Sequence, residues 1–234
     1  MKKMTLVQHF SELKRRFLWV VLIFVLAFGV GCWIAPNVQY FFVEPLLKVW
    51  PDGTLLYTGL TDGLMIQLSL AVWFALFIVL PVALWHVWAF VKPGLKSNER
   101  GIIWPVLVMS PVLFLAGAGF AFWFLFPVAF KFFVELNQSA PVPSVLMPAV
   151  RDYLTFAIGL LKVFGVAFQL PLVLVLLNRI GILEYASVVK MRRYAIVGIV
   201  IIAAVLTPPD VVSQVILALP MYMLFEISIL FMRK

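Results

Sequence analysis

Cysteine is almost missing from this chain. Cys32 is the single one in 234 residues, which excludes an intramolecular disulfide and any metal cluster built from cysteines. Histidine is nearly as scarce: His9 and His86 lie in different elements and make no metal set. No glycine-rich phosphate loop, His-Glu-x-x-His or Gly-x-Ser-x-Gly sequence occurs, so neither catalysis nor a cofactor is expected. Energy from nucleotide hydrolysis would have to come from a partner. The membrane potential could instead supply about 2.3 kcal/mol per charge per 100 mV. Charged residues are only 12% of the chain. No small-residue cleavage pattern precedes Pro36-Asn37, and no cleaved leader is expected. Gly31-Cys32 faintly resembles a lipoprotein box. Sixteen polar-rich residues precede that run, however, so Cys32 reads as a small packed residue.

What fills the chain is apolar. Hydrophobic residues make up 65% and the mean hydropathy is +1.11, which excludes a soluble domain. The reading is an all-α integral membrane protein, one membrane domain over residues 1–234. Six apolar segments are expected at about 17–35, 64–91, 102–130, 153–178, 194–206 and 215–232. A hydrocarbon core about 30 Å thick needs about 20 residues of helix, and most of these segments qualify. The last two spans are short, and the fifth, with 13 residues, reaches about 20 Å. Such a span is either shielded by neighbours or thins the bilayer beside it.

Positive charge fixes the orientation. Of eighteen Lys and Arg residues, fourteen fall at the termini or on alternate connections. They are Lys2, Lys3 and 14–16 before the first span; Lys92, Lys96 and Arg100 after the second; Arg179, Lys190, Arg192 and Arg193 after the fourth; and Arg233 and Lys234 at the end. Lys48, Lys131 and Arg151 lie on the other side, and Lys162 lies inside a span. By the positive-inside rule both termini are cytoplasmic. The net charge of +8 is explained by this orientation and by attraction to anionic lipid, which makes nucleic acid a poor candidate partner.

Residues 4–16 read as an interfacial amphipathic helix. Leu6, Phe10 and Leu13 share a face, and Thr5 is the candidate N-cap. Residues 36–63 read as a long outside loop, because Pro36, Pro45, Pro51 and Gly53 argue against one long helix. Residues 179–193 form an inside connection, 134–152 an outside loop, and 207–214 a tight outside turn. Pro81, Pro171 and Pro220 recur in Leu-Pro pairs within spans two, four and six. Each should free the carbonyl four residues back (Phe77, Ala167 and Ile216) and bend its helix. The bends either shape a packed bundle or serve gating.

Polar groups in the bilayer are expensive, about 2.5–3.5 kcal/mol for an ionisable side chain on insertion scales. Lys162 in span four either snorkels, pairs with Glu226, or serves function. Gln169, seven residues on, makes an interhelical hydrogen bond or opens a polar notch next to Pro171. Glu226 reads as structural.

Four stretches together are similar to the TatC family of twin-arginine translocase subunits, over essentially the whole chain. They are His9-Phe10-Ser11-Glu12-Leu13-Lys14-Arg15-Arg16, Phe42-Val43-Glu44-Pro45-Leu46, Trp88-Ala89-Phe90-Val91-Lys92-Pro93-Gly94-Leu95 with Glu99-Arg100, and Leu206-Thr207-Pro208-Pro209-Asp210-Val211-Val212-Ser213-Gln214. The resemblance implies a curved, cup-like bundle in the bacterial inner membrane that exports folded proteins using proton-motive force. Twin-arginine signal peptides of those precursors would bind at Glu12, Lys14, Phe90, Pro93, Leu95, Glu99 and Arg100. Small single-span subunits of TatA and TatB type, membrane lipid and further copies of the chain are the other implied partners. Gln169 and Lys162 would supply the membrane-embedded polar contact, and Pro45, Asp210 and Gln214 an outside cap. Lys14 stands where the family usually has Arg, and Gln169 where a carboxylate is common. A mechanism that requires a titrating charge there does not fit Gln169, whereas a hydrogen bond is open to it.

The carboxylates have another reading, in which Glu12 and Glu99 merely neutralise Arg15, Arg16 or Arg100. Two rival functions stay open: a small-molecule secondary transporter built from inverted repeats, and a membrane scaffold without transport. Against the transporter, the Leu-Pro pattern falls on spans that all run the same way.

Overall fold

In hydrocarbon a chain must satisfy its backbone hydrogen bonds internally, and a helix does so within one segment. The computed structural model of this chain is helical accordingly. It describes residues 6–91, 100–139, 146–206 and 211–232, with backbone alone at 6–10, 88–91, 100–105, 107 and 206. In order the helices are α1 (Leu6–Val49), α2 (Asp62–Val91), α3 (Arg100–Phe120), α4 (Phe126–Gln138), α5 (Val150–Ala167), α6 (Leu170–Arg179), α7 (Tyr185–Lys190), α8 (Arg192–Leu206) and α9 (Val211–Leu230). A π-helical turn, Ala121–Leu125, joins α3 to α4. Five stretches are long and apolar enough to cross a membrane: Ser11–Val49, Asp62–Val87, Val108–Gln138, Val150–Arg179 and Val211–Leu230. The protein is an all-α integral membrane protein.

Helix α1 departs most from expectation. No break separates an interfacial helix from a first span, and the helix runs on through Pro36 and Pro45 to Val49. No proline or glycine stands between Leu6 and Phe28, so nothing stops the first turns from continuing into the span. Beyond it, Ala35, Phe42, Pro45 and Leu46 are buried at helical spacing. That burial on either side carries the helix past the exposed Pro36 and the buried Pro45, and membrane helices tolerate proline where neighbouring groups re-satisfy the backbone. The expected N-cap, Thr5, lies outside the described residues.

Other boundaries shift for local reasons. Span four is two helices, because α5 stops at Ala167 and α6 restarts at Leu170 with Pro171 in its first turn. There a missing N–H leaves no ladder bond unmade, so Pro171 marks a restart rather than a bend inside one helix. Pro81 and Pro220 do lie inside α2 and α9. Span three continues to Gln138, and the π turn sits just before Pro127. The Phe126 N–H reaches back five residues to the Ala121 carbonyl. The proline ring crowds the carbonyl four residues before it, and a wider turn relieves that clash. The inside connection after α6 contains α7, and α9 starts at Val211, four residues before the expected span. Helix α8 has 15 residues, about 22 Å at the usual rise.

Contacts gather into two units, residues 1–39 with 63–111 and residues 40–62 with 112–234. In the first, Ala27, Gly31 and Ala35 are buried along one stripe of α1, at steps of four. A Cβ placed on Gly31 would lie 2.9 Å from the Ala71 carbonyl oxygen of α2, where Ala71 and Ala75 are wholly buried. Small residues let two backbones approach in a membrane. Cys32 is one position off this stripe and is exposed, contrary to expectation.

The second unit packs on aromatic rings. Phe122, Phe126, Phe130 and Tyr153 follow one another at centroid distances of 5.1 to 5.4 Å, and Phe41 stacks on Phe122 at 4.3 Å. The buried Tyr153 hydroxyl donates to the Phe42 carbonyl at 2.6 Å, tying α5 to the last turns of α1. A Cβ on Gly117 would overlap the backbone carbonyl of Phe164. The chain after α1 is also ordered. Leu56 and Ala149 form a parallel bridge, with the Leu56 N–H donating to Pro148 and the Val150 N–H to Leu56, both at 3.0 Å. Asp62 Oδ2 accepts from the Thr58 N–H (3.1 Å), the Thr58 hydroxyl (2.9 Å) and the Gly59 N–H (2.6 Å), fixing the entry to α2.

Candidate functional site

The first turns of α1 carry a charge-dense sequence, Glu12-Leu13-Lys14-Arg15-Arg16, immediately before the apolar run. Helical spacing puts Arg16 one turn above Glu12, and the two side chains meet. Arg16 Nε donates to Glu12 Oε1 at 3.0 Å, and Arg16 Nη2 contacts the same oxygen. The guanidinium therefore engages one carboxylate oxygen through two nitrogens. The other oxygen, Oε2, is buried and has no hydrogen-bond partner among the described residues. Both side chains are about three-quarters covered, at 24% and 23% exposure.

Lys14 and Arg15 point elsewhere. Both are exposed, and neither has an ion-pair partner among the described residues. With Ser11, Leu18, Trp19 and Leu22 they line a groove of about 340 Å³ along α1. Of the other sequence-predicted binding residues, Phe90 falls in the last turn of α2 and Arg100 opens α3. Pro93, Leu95 and Glu99 lie outside the described residues. The structure thus gives Glu12 a geometry, and no distance between Glu12 and Glu99.

The remaining candidates belong to the second unit. Gln169 caps α6 from the two-residue break after α5, with its N–H donating to the Val166 carbonyl at 2.9 Å. It is half-buried, as is Lys162 on α5. Glu226, weighed as a partner for Lys162, has both oxygens engaged otherwise. Arg192 Nη2 donates to Oε2 at 2.8 Å, and the Tyr222 hydroxyl donates to Oε1 at 2.6 Å. Its structural reading is consistent with these bonds, which tie α9 to the start of α8. Pro45 is buried in α1 one turn from Phe42. Gln214 Nε2 donates to the Val200 carbonyl at 3.0 Å, joining α9 to α8. Asp210 lies outside the described residues.

Sequence reasoning assigned no contact to Asp62, Tyr153 or Arg192. Tyr222 and Glu226 are four apart and could have been paired by helical spacing. Arg192 is 34 residues from Glu226 and gave no local signal. No group of His, Cys, Asp or Glu that could hold a metal occurs among the described residues.

Residues 8–220 match the family model described as Sec-independent protein translocase protein (TatC). A protein of that name from Azotobacter chroococcum is 38% identical over 229 residues, covering 97% of this chain and 89% of the relative. The Escherichia coli K12 protein of the same name is 36% identical, covering 97% and 88%. A crystal structure described as the twin arginine translocase receptor TatC superposes with a TM-score of 0.82 at 32% identity, covering 95% of this chain and 97% of that one. The same receptor in DDM gives 0.84. This chain therefore belongs to the TatC family, the membrane-spanning components of the Sec-independent protein translocase.

Proposed function

We propose that this chain is the receptor subunit of the translocase and reads the paired arginines of signal peptides with Glu12 and Glu99. The supporting observation is the Glu12 carboxylate: one oxygen already holds a guanidinium and the other is buried without a partner among the described residues. Planar guanidinium matches carboxylate in a way that a lysine ammonium does not. An i,i+4 ion pair such as Arg16 with Glu12 contributes only about 0.3–0.5 kcal/mol, so an incoming arginine can displace it. One exposed pair is too weak for useful affinity, which is why a second carboxylate and apolar contacts from Phe90, Pro93 and Leu95 belong to the site. Lys14 and Arg100 flank it.

The positive-inside bias supports an orientation with both termini in the cytoplasm of a bacterial inner membrane. Small single-span subunits of TatA and TatB type then dock along the short C-terminal helices and the polar notch at Gln169 and Lys162. Pro45, Asp210 and Gln214 shape the opposite cap. A 15-residue α8 would thin the bilayer beside it, a route for folded cargo driven by proton-motive force. Copies of the chain associate in the working complex.

The test is charge reversal. Glu12→Lys with Glu99→Lys should abolish binding of an Arg-Arg signal peptide while membrane insertion stays intact. Normal binding by the double variant would remove both residues from the site.

A further inference from the structure

Helix α1 carries a second recognition feature beside Glu12. Two adjacent rows run along its face, Ser11-Arg15-Trp19 and Lys14-Leu18-Leu22, with the groove of about 340 Å³ between them. The upper end is cationic, since Lys14 and Arg15 are exposed and unpaired among the described residues while Arg16 is held by Glu12. The lower end is apolar and open: Leu18, Trp19 and Leu22 are 56%, 50% and 48% exposed. The change from charge to hydrocarbon falls between Arg16 and Phe17, which places the headgroup level there whichever side of the membrane it faces.

We infer that this groove is a site for one anionic phospholipid, with its phosphate between Lys14 and Arg15 and an acyl chain along Leu18, Trp19 and Leu22. Charge decides between occupants. Two cations with no ion-pair partner among the described residues attract a phosphate at headgroup depth, and long basic side chains reach it while their stems stay in apolar surroundings. Trp19 sits one turn below Arg15, where an amphipathic indole favours the interface. From Arg15 to Leu22 the helix rises about 10 Å, enough to hold the upper part of one chain. A zwitterionic lipid could use the apolar floor but would gain less from the cations. An acidic peptide could use the cations but would leave the three exposed apolar side chains uncovered. The lipid site shares Lys14 with the proposed signal-peptide site but not Glu12, and its lipid titration contains no signal peptide, so either reading can fail without the other.

The full-length protein in detergent, titrated with phosphatidylglycerol or phosphatidylcholine and followed by native mass spectrometry, tests this. One phosphatidylglycerol should bind more tightly than phosphatidylcholine. Arg15→Gln should weaken that binding about 5-fold and Lys14→Gln with Arg15→Gln about 25-fold, from the usual attraction per basic residue. Leu18→Ala with Leu22→Ala should weaken both lipids. Lys131→Gln removes one exposed charge elsewhere and should leave phosphatidylglycerol binding unchanged. Equal effects of Arg15→Gln and Lys131→Gln, or no preference between the lipids, would overturn the site. So would loss of an added acidic peptide, with lipid binding kept, on Arg15→Gln.

Discussion

At the scale of single residues, the proposed function depends on how a carboxylate is occupied. Arg16 competes with any incoming guanidinium for Glu12, so its removal should help binding. Arg16→Gln is expected to tighten an Arg-Arg leader about 2-fold, the equivalent of one helical ion pair, as read by fluorescence titration. Weaker binding would make Arg16 part of the recognition device instead of a competitor. Tyr153 tests the other unit. Its buried hydroxyl donates across more than a hundred residues to the Phe42 carbonyl. Tyr153→Phe should lower unfolding stability by about 1 kcal/mol, visible as an earlier denaturation midpoint in detergent. Neither partner could be matched from sequence, because nothing local links positions 42 and 153. The Glu12–Arg16 pair was legible for the opposite reason: both residues lie in one short stretch at i,i+4, and their pairing is the neutralising reading the sequence offered for Glu12.

At the scale of elements, apolar length located the helices well and proline misled about their ends. Pro36 and Pro45 looked like breakers, yet buried faces at Ala35, Phe42 and Leu46 carry α1 through them. Pro171 looked like a bend in span four, and instead opens a new helix after Phe168 and Gln169. Whether proline kinks, restarts or is absorbed depends on what packs beside it, which a local pattern does not contain. The π turn before Pro127 was invisible for the same reason. Small residues carry the tight crossings. Gly117→Val would push a side chain into the Phe164 backbone carbonyl, and overpacking of this kind costs about 1–3 kcal/mol. The thermal midpoint should fall clearly, whereas Gly159→Ala, in open space on α5, should not lower it. Equal midpoints for the two variants would mean that α3 and α5 do not meet at Gly117.

At the scale of the whole molecule, composition alone excluded a soluble protein, and the alternation of basic residues supports the proposed orientation. The short helix before the last one was also legible, since 13 apolar residues were expected at 194–206 and α8 has 15. The candidate site came from the resemblance of four stretches to the family, with Glu12 given a geometry and Glu99 outside the described residues. Its two acidic groups lie in separate stretches of the sequence, at positions 12 and 99, which is why neither stretch by itself identifies a receptor. Binding of a labelled leader peptide to the full-length protein in nanodiscs bears on this most directly, comparing Arg-Arg with Lys-Lys at the paired positions. Carboxylate recognition of guanidinium predicts that the lysine leader binds about 10-fold more weakly or worse. Equal affinity of the two leaders would mean that positive charge alone is read and would contradict the assigned site.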